Sequence, residues 1–178
     1  MAIPRVVVLS GVSGAGKTTL ARAFQQTAPE PFVYLAFDDY HQQMPAWLDE
    51  HSPAAGRWIK GFHRSIAAHA DVGSNVVVDH LFLARSWFEE LFTLLEPHAP
   101  LSVAVWCDFA TLNRRGRARD RSGLAATQVA NHQYHNASYH VSINSALPTR
   151  DNVLKLAADG SCAAPTIEGQ DIETLIHA

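Results

Sequence analysis

Cysteine is scarce in this sequence: Cys107 and Cys162 are the only two among 178 residues, far apart and in no C-x-x-C arrangement. That excludes a disulfide framework and a thiolate zinc cluster; Cys107, after a strand-like run, reads as a small core residue. Long apolar runs are also missing, and nothing approaches the roughly 20 residues of a membrane-spanning helix. No signal-peptide core is evident, because the first apolar run reads as a strand, so the expectation is a soluble, cytoplasmic protein without a membrane partner. Positive charge is not in excess: 14 Lys and Arg stand against 17 Asp and Glu, for a net −3. That balance argues against a protein held on nucleic acid by phosphate contacts along its surface. Repeats, low-complexity tracts and a GTPase-type N-K-x-D motif are absent as well. What remains is ordinary globular material, 47% hydrophobic and 17% charged, long enough to bury a core without staples. One domain over 1–178 is expected.

One stretch dominates. Val6-Val7-Val8-Leu9-Ser10 is a β-branched apolar run that stops at Gly11, and Leu20-Ala21-Arg22-Ala23-Phe24 is helix-forming. Between them Gly11, Val12, Ser13, Gly14, Ala15, Gly16, Lys17 and Thr18 match G-x-x-x-x-G-K-[ST], the phosphate-binding loop, in the strand–loop–helix setting it requires. Glycines let the backbone wrap an anion and turn N–H groups inward, and the following helix adds its positive end. Lys17 is expected at the β- and γ-phosphates, the Thr18 hydroxyl at Mg²⁺, and Thr19 beside the nucleotide. A nucleoside triphosphate is the implied ligand.

Strands alternate with helices along the rest of the chain. A helix is expected over Thr18–Gln26, ended before Pro29 and Pro31, and a strand over Phe32–Phe37 that runs into Asp38-Asp39. Tyr40–Gly56 reads as an irregular excursion, and Arg57–Ala70 as a helix with Trp58, Ile59, Phe62, Ile66 and Ala70 on one face. Val76–Asp79 is a third strand, Ala84–Leu95 a helix striped by Trp87, Phe88, Leu91 and Leu95, and Leu101–Trp106 a fourth strand. Thr111–Gln133 is expected to be largely helical with a break near Ser122-Gly123. A fifth strand at His140–Ile143, a helix at Arg150–Ala158 and a short helix at Ile172–Ile176 follow. This alternation means βαβ units and a parallel sheet, whose ligands sit at the carboxyl ends of its strands.

Asp38, Asp39 and Asp79 fall at those ends. Asp38 is the candidate base for an acceptor hydroxyl, and Asp79 resembles a Walker B aspartate for Mg²⁺. Of the pair Asp38-Asp39, alternation lets one side chain face the crevice if strand geometry persists. Asn113–Arg121 carries five arginines, and the expectation is a lid over about 113–135 in which one or two of them touch phosphate. Arg117, Arg119 and Arg121 lie two apart and cannot share one helical face. His132, His135 and His140 lack a carboxylate or thiolate placed to complete a metal site. Met44, Trp47 and Trp58, in or beside the irregular segment, are candidate acceptor contacts, and His80 is either another or a polar residue satisfied at a loop start.

The chain resembles the chloramphenicol 3-O-phosphotransferase-like P-loop kinases. The resemblance runs through Gly11–Thr18, Pro29-Glu30-Pro31, Asp38, Met44-Pro45, Val76–Phe82, Cys107-Asp108, the arginine run and Gly123–Gln128. It implies a nucleoside-monophosphate-kinase-like three-layer α/β sandwich, with a five-stranded parallel sheet in the order 2-3-1-4-5 and an arginine-rich lid. It also implies Asp38 as catalytic base, with Arg119 and Arg121 near the lid arginines. Two departures stand out: a shorter segment between Pro45 and Gly61, and His80 where the family shows a second aspartate. The expected activity is ATP- and Mg²⁺-dependent transfer of the γ-phosphate to a hydroxyl of a small molecule, such as chloramphenicol. A nucleotide, sugar or shikimate-type metabolite kinase, an RNA-end kinase, and a non-transferring switch ATPase are the alternatives. Oligomeric state has no signature in the sequence.

Overall fold

The computed structural model describes residues 5–50, 52–119, 123–130, 137–158 and 167–177. The apolar run folds as β1, Val6–Ser10, with every residue buried. Alternation divides its side chains between two cores. Val7 and Leu9 pack with Leu20, Phe24, Val103, Leu156 and Ile176 on one face of the sheet, whereas Val6 and Val8 pack with Ile59, Phe62, Ile66, Leu91 and Leu95 on the other. A strand buried on both faces must be apolar throughout, which is why this one reads as an unbroken run. Each fully buried Leu or Ile in these layers contributes about 1.5–3 kcal/mol.

The helix after the loop is α1, Lys17–Thr27, followed by β2, Phe32–Ala36. Ala28 adopts the extended conformation forced on a residue before proline, and it ends α1. The expected strand through Phe37 stops one residue early, because Phe37–His41 turns into a short helix, α2. The excursion then runs to α3, Pro53–Asp71, which begins four residues before the expected Arg57. Ser52 caps it by accepting from the Ala55 amide at 3.2 Å, and Pro53 suits a first-turn position. β3 is Asn75–His80, α4 Arg85–Leu95 and β4 Leu101–Trp106. α5 spans Phe109–Ala118 and α6 Leu124–Ala130, on either side of the expected break. Gly123, with φ +81°, lies in that break and takes a backbone shape that favours glycine. Ser138–Tyr139 forms β5, Val141–Asn144 β6, Thr149–Ala158 α7, Ile167–Glu168 β7 and Gly169–His177 α8.

The main sheet is five-stranded and parallel in the order β2-β3-β1-β4-β6. This is the expected 2-3-1-4-5 arrangement, renumbered because β5 leaves the sheet to pair antiparallel with β7. Sequence pattern gives no sign of such two-residue strands. Helices α1, α7 and α8 cover one face, α3 and α4 the other. No helix among the described residues is long and apolar enough to cross a membrane.

Three histidines are structural members of these layers. His63 on α3 is wholly buried, with Nε2 3.0 Å from Nε2 of His80 and Nδ1 3.4 Å from Glu90 Oε1. Donation from His63 Nδ1–H to Glu90, and from His80 Nε2–H to His63, satisfies His63 and Glu90 and leaves His80 Nδ1 without a partner among the described residues. Burial holds His63 below the ordinary imidazole value despite the pull of Glu90. His140 is likewise lowered by burial, and its Nδ1 accepts from the Ser102 amide at 3.1 Å. The unfolded chain therefore binds protons at these positions at a higher pH than the folded chain. Stability is then present above the ordinary histidine value and is lost as pH falls through it. The midpoint of thermal unfolding should rise as pH is raised from about 5 to about 7, then level off. A midpoint that falls across that window would overturn the assignment of both rings as neutral.

Candidate active site

The phosphate loop is built by two glycines in the left-handed region, Gly14 at φ 83° and Gly16 at φ 99°. Gly16 is fixed twice over, since a Cβ there would also meet Ser145 Cβ and Oγ at 3.0 Å. Gly16 caps α1 without any side-chain bond to the helix's first amides. Those amides, with the helix's positive end behind them, form an anion-binding cradle.

Lys17 and Asp79 meet beside this cradle. The Lys17 ammonium donates to the Gly11 carbonyl at 2.9 Å and lies 3.7 Å from Asp79 Oδ1. Asp79 arrives by register: in β3 it stands opposite Leu9 of β1 and Ala36 of β2. It shares its face with Val77, the α1 side, so its carboxylate accepts from the Thr18 hydroxyl at 2.6 Å and the Tyr34 hydroxyl at 3.3 Å. Burial, with the Asp79 charge added, pushes the Tyr34 phenol up to about 12, so it stays a donor. A threonine hydroxyl and a carboxylate in hydrogen-bond contact are hard oxygen donors of the kind Mg²⁺ takes, so the residues fit that ion. Among the described residues, no cluster of three His, Cys, Asp or Glu forms a further metal site.

Asp38 lies in the first turn of α2 and lines a cavity of about 520 Å³ together with Ser13, Lys17, Asp79, Thr127 and Gln128. Strand geometry does not persist at this point, and helical phase separates the aspartates instead. Both are exposed, and Asp39 is not among the lining residues. A second cavity of about 350 Å³ adjoins the first through Phe37, His41, Glu50 and Leu83, and Met44 and Trp87 line it. A third, of about 110 Å³, lies on the other side of the loop, against Gly14, Gly16, Thr19, Arg115, Arg119 and Ser145. Val12 and Ala15 are buried loop supports.

Several expected contacts are not brought to these cavities. Trp47 is 83% exposed and lines none of them. Trp58 donates from Nε1 to the Tyr40 carbonyl at 3.3 Å and packs on that ring, pinning α3 to α2. His80 is fully buried, stacked on Phe82 at 4.0 Å and on Phe37 at 4.9 Å. Alternation after Asp79 turns it into the α3–α4 layer, away from any acceptor. Arg117 is exposed and lines none of the three cavities; Arg119 is on the third, across the loop from Asp38. Arg121, His132 and His135 lie outside the described residues.

Three participants escape the residue-type reading. Arg115 Nη1 donates to the Gly14 carbonyl at 3.1 Å and to Ser145 Oγ at 2.9 Å, and Nη2 donates to the Ser145 carbonyl at 3.0 Å. Its fork clamps the phosphate loop to the end of β6. The spacing of Leu112, Arg115 and Arg119 on one helical stripe is the signal that singles it out. Gln128 of α6 is buried and accepts the Ser13 amide at 2.6 Å, so the expected lid segment touches the loop itself. Trp87, at the start of the α4 stripe expected to be core, walls the 350 Å³ cavity.

The model of the family described as chloramphenicol phosphotransferase-like protein matches residues 4–159, and the chain belongs to that family. Two Mycobacterium tuberculosis proteins, named "Putative O-phosphotransferase" Rv2636 (strain H37Rv) and MT2714 (strain CDC 1551), are each 25% identical over 118 residues. The match covers 52% of this chain and 52% of each relative, so the chain spans about half the length of the curated relatives it matches. Among solved structures, a Sinorhizobium meliloti gluconokinase aligns at TM-score 0.65 and 20% identity, over 89% of this chain and 93% of its own. The Mycobacterium tuberculosis APS kinase CysC, solved with AMPPNP and APS, aligns at 0.66 and 15%, over 89% and 98%. A Deinococcus radiodurans tunicamycin resistance protein aligns at 0.65 and 15%, over 88% and 95%. These similarities show the α/β fold of P-loop kinases.

Removing the clamp should loosen the loop. Arg115→Ala leaves the Gly14 carbonyl and Ser145 without their partner, at a cost of about 2 kcal/mol. Thermal unfolding should shift down by several degrees and nucleotide affinity should drop about tenfold. Arg115→Lys should recover only part of either, because an ammonium has no planar fork. A variant that unfolds and binds nucleotide like the parent would show the clamp idle.

Proposed function

We propose that this member of the chloramphenicol phosphotransferase-like family is an ATP- and Mg²⁺-dependent O-phosphotransferase acting on a small-molecule alcohol. The observation that carries the reading is one cavity of about 520 Å³ walled by the phosphate loop, Lys17, Asp79 and Asp38. A triphosphate on the loop and a hydroxyl at Asp38 would meet within it. The amides of Gly14 to Thr19 hold the β- and γ-phosphates, and Lys17 turns from the Gly11 carbonyl to the bridging oxygens. Thr18 and Asp79 would hold Mg²⁺, which would neutralise phosphate charge. Arg115 and Arg119, beside the 110 Å³ cavity, suit the nucleoside end.

Asp38 accepts the proton of the acceptor hydroxyl as its oxygen bonds to the γ-phosphorus; the bond from that phosphorus to the β–γ bridging oxygen breaks, and ADP leaves. Contact between α6 and the loop through Gln128 supports a lid that excludes water, so that the alcohol competes successfully for the phosphoryl group. Chloramphenicol and metabolite alcohols are both candidate acceptors, since the same transfer residues serve either.

The test is γ-phosphate transfer from ATP to a panel of hydroxyl compounds, chloramphenicol included. Asp38→Asn should lower transfer about a hundredfold or more while leaving ATP binding near the parent value. Asp79→Asn should instead raise the Mg²⁺ concentration needed for activity. ATP hydrolysis indifferent to Asp38, with no compound phosphorylated, would replace this reading with that of a non-transferring switch.

A further inference from the structure

The 350 Å³ cavity opens directly onto the 520 Å³ cavity that holds Asp38. Its wall is apolar and aromatic: Phe37, Met44, Ile59 and Trp87 leave room for one ring-sized group. Such a chamber takes the non-reacting body of a ligand and fixes its orientation. Phe37 belongs to both cavities, so a body seated against its ring directs an attached hydroxyl toward the adjacent Asp38.

The charges around the chamber all point one way. Among the described lining residues of the two cavities, Lys17 is the single lysine or arginine, and it already lies 3.7 Å from Asp79. Two further carboxylates face the space, Asp38 on the wall of the larger cavity and Glu50 at the shared rim, where His41 Nε2 stands 3.6 Å from Glu50 Oε1. An anionic acceptor entering here meets carboxylates and aromatic faces, both of which repel it. An ammonium meets the reverse: a rim carboxylate and the faces of Phe37 and Trp87, a setting for cation–π attraction.

Resting on the kinase reading, we propose that the acceptor is an amine-bearing amphipathic alcohol, with its apolar body against Phe37 and Trp87. Its ammonium lies toward Glu50 and its hydroxyl at Asp38. Glu50 is the specificity determinant that selects amines and rejects anionic acceptors. It is two-thirds exposed, so its share is a several-fold preference and not an absolute gate.

Three probes on one scaffold test this: a phenylpropanediol, its amine-bearing analogue and its carboxylate-bearing analogue. Each is titrated calorimetrically into the full chain loaded with AMPPNP and Mg²⁺, at low salt. The amine should bind about fivefold more tightly than the neutral diol, and the carboxylate about tenfold more weakly than the amine. Glu50→Gln should bring the amine down to the neutral diol, and Glu50→Lys should reverse the order. Trp87→Ala, which removes a wall without changing charge, should weaken all three alike. An amine no tighter than the diol, a carboxylate bound best, or no binding of any probe would overturn the inference. The AMPPNP titration and Asp38-dependent phosphate transfer are read separately. A chain that binds nucleotide and transfers phosphate but prefers the carboxylate loses this inference alone, whereas one that binds no AMPPNP loses the kinase reading and the inference with it.

Discussion

The 2.6 Å hydrogen bond from Thr18 to Asp79 joins the start of α1 to the end of β3, and the site's geometry hangs on it. Parallel strands bring their carboxyl ends to one edge of the sheet, but an edge is not yet a site. The loop after β1 could adopt many shapes. This bond, the Arg115 fork on Gly14 and Ser145, and the Gln128 bond to Ser13 tie it to β3, β6 and α6 respectively. Each tie uses a side chain delivered by a rigid element, so the loop's amides are oriented before any ligand arrives. Preorganised donors cost no reorganisation at the moment charge develops, which is what a site for phosphoryl groups requires.

The part of this legible in sequence is the part governed by fixed spacing. Gly11 to Thr18 must lie between a buried strand and a helix, and the structure puts it there. Asp38 and Asp79 follow apolar runs, and strand ends are where a parallel sheet gathers chemistry, so both were recognisable by place. Phase at element ends was harder to read. Strand alternation continues one residue past Asp79 and buries His80, whereas β2 gives way to α2 at Phe37 and helical phase decides between Asp38 and Asp39. The arginine run shows the same limit. Its composition marks the segment, but the helical stripe of Leu112, Arg115 and Arg119 decides which guanidinium reaches the loop. Trp47 and Trp58 were indistinguishable by residue type from Trp87, and only tertiary packing sends the first to solvent, the second to Tyr40 and the third to the cavity.

The loop divides the surroundings into two sides of different character. On one, Arg115 and Arg119 flank a small cavity, and α5 supplies positive charge. On the other, Asp38, Asp79 and Glu50 outnumber Lys17, and the walls are aromatic. Only the loop and its helix face both. A triphosphate lying along the loop would thus have its nucleoside end among cations and its γ-phosphate pointing into acidic surroundings. There, added negative charge is costly unless a cation accompanies it. In the proposed transfer, that asymmetry would favour moving the phosphoryl group onto a partner that brings positive charge of its own.

The two sides also differ in what builds them. The side proposed for the nucleotide is made from α1, α5 and the end of β6, elements fixed by the sheet and its core. Much of the side proposed for the acceptor comes from α2, the turns from Gln42 to Glu50, and the first turns of α3, which attach to the sheet through Phe37, Tyr40, Trp58 and Ile59. Residues of the turns from Gln42 to Glu50 change without disturbing β1 or the loop, because they belong to neither core. Ile59 and Phe37 belong to the core as well as to the cavities: Ile59 lines the smaller one, and Phe37 packs on Phe62 and on His80 in the buried layer while forming a wall of both. Its position is therefore set by the core, and it passes that rigidity to Asp38, its neighbour in the chain. In the proposed transfer the base would be held by the fold, while the pocket presenting an alcohol to it would be free to vary.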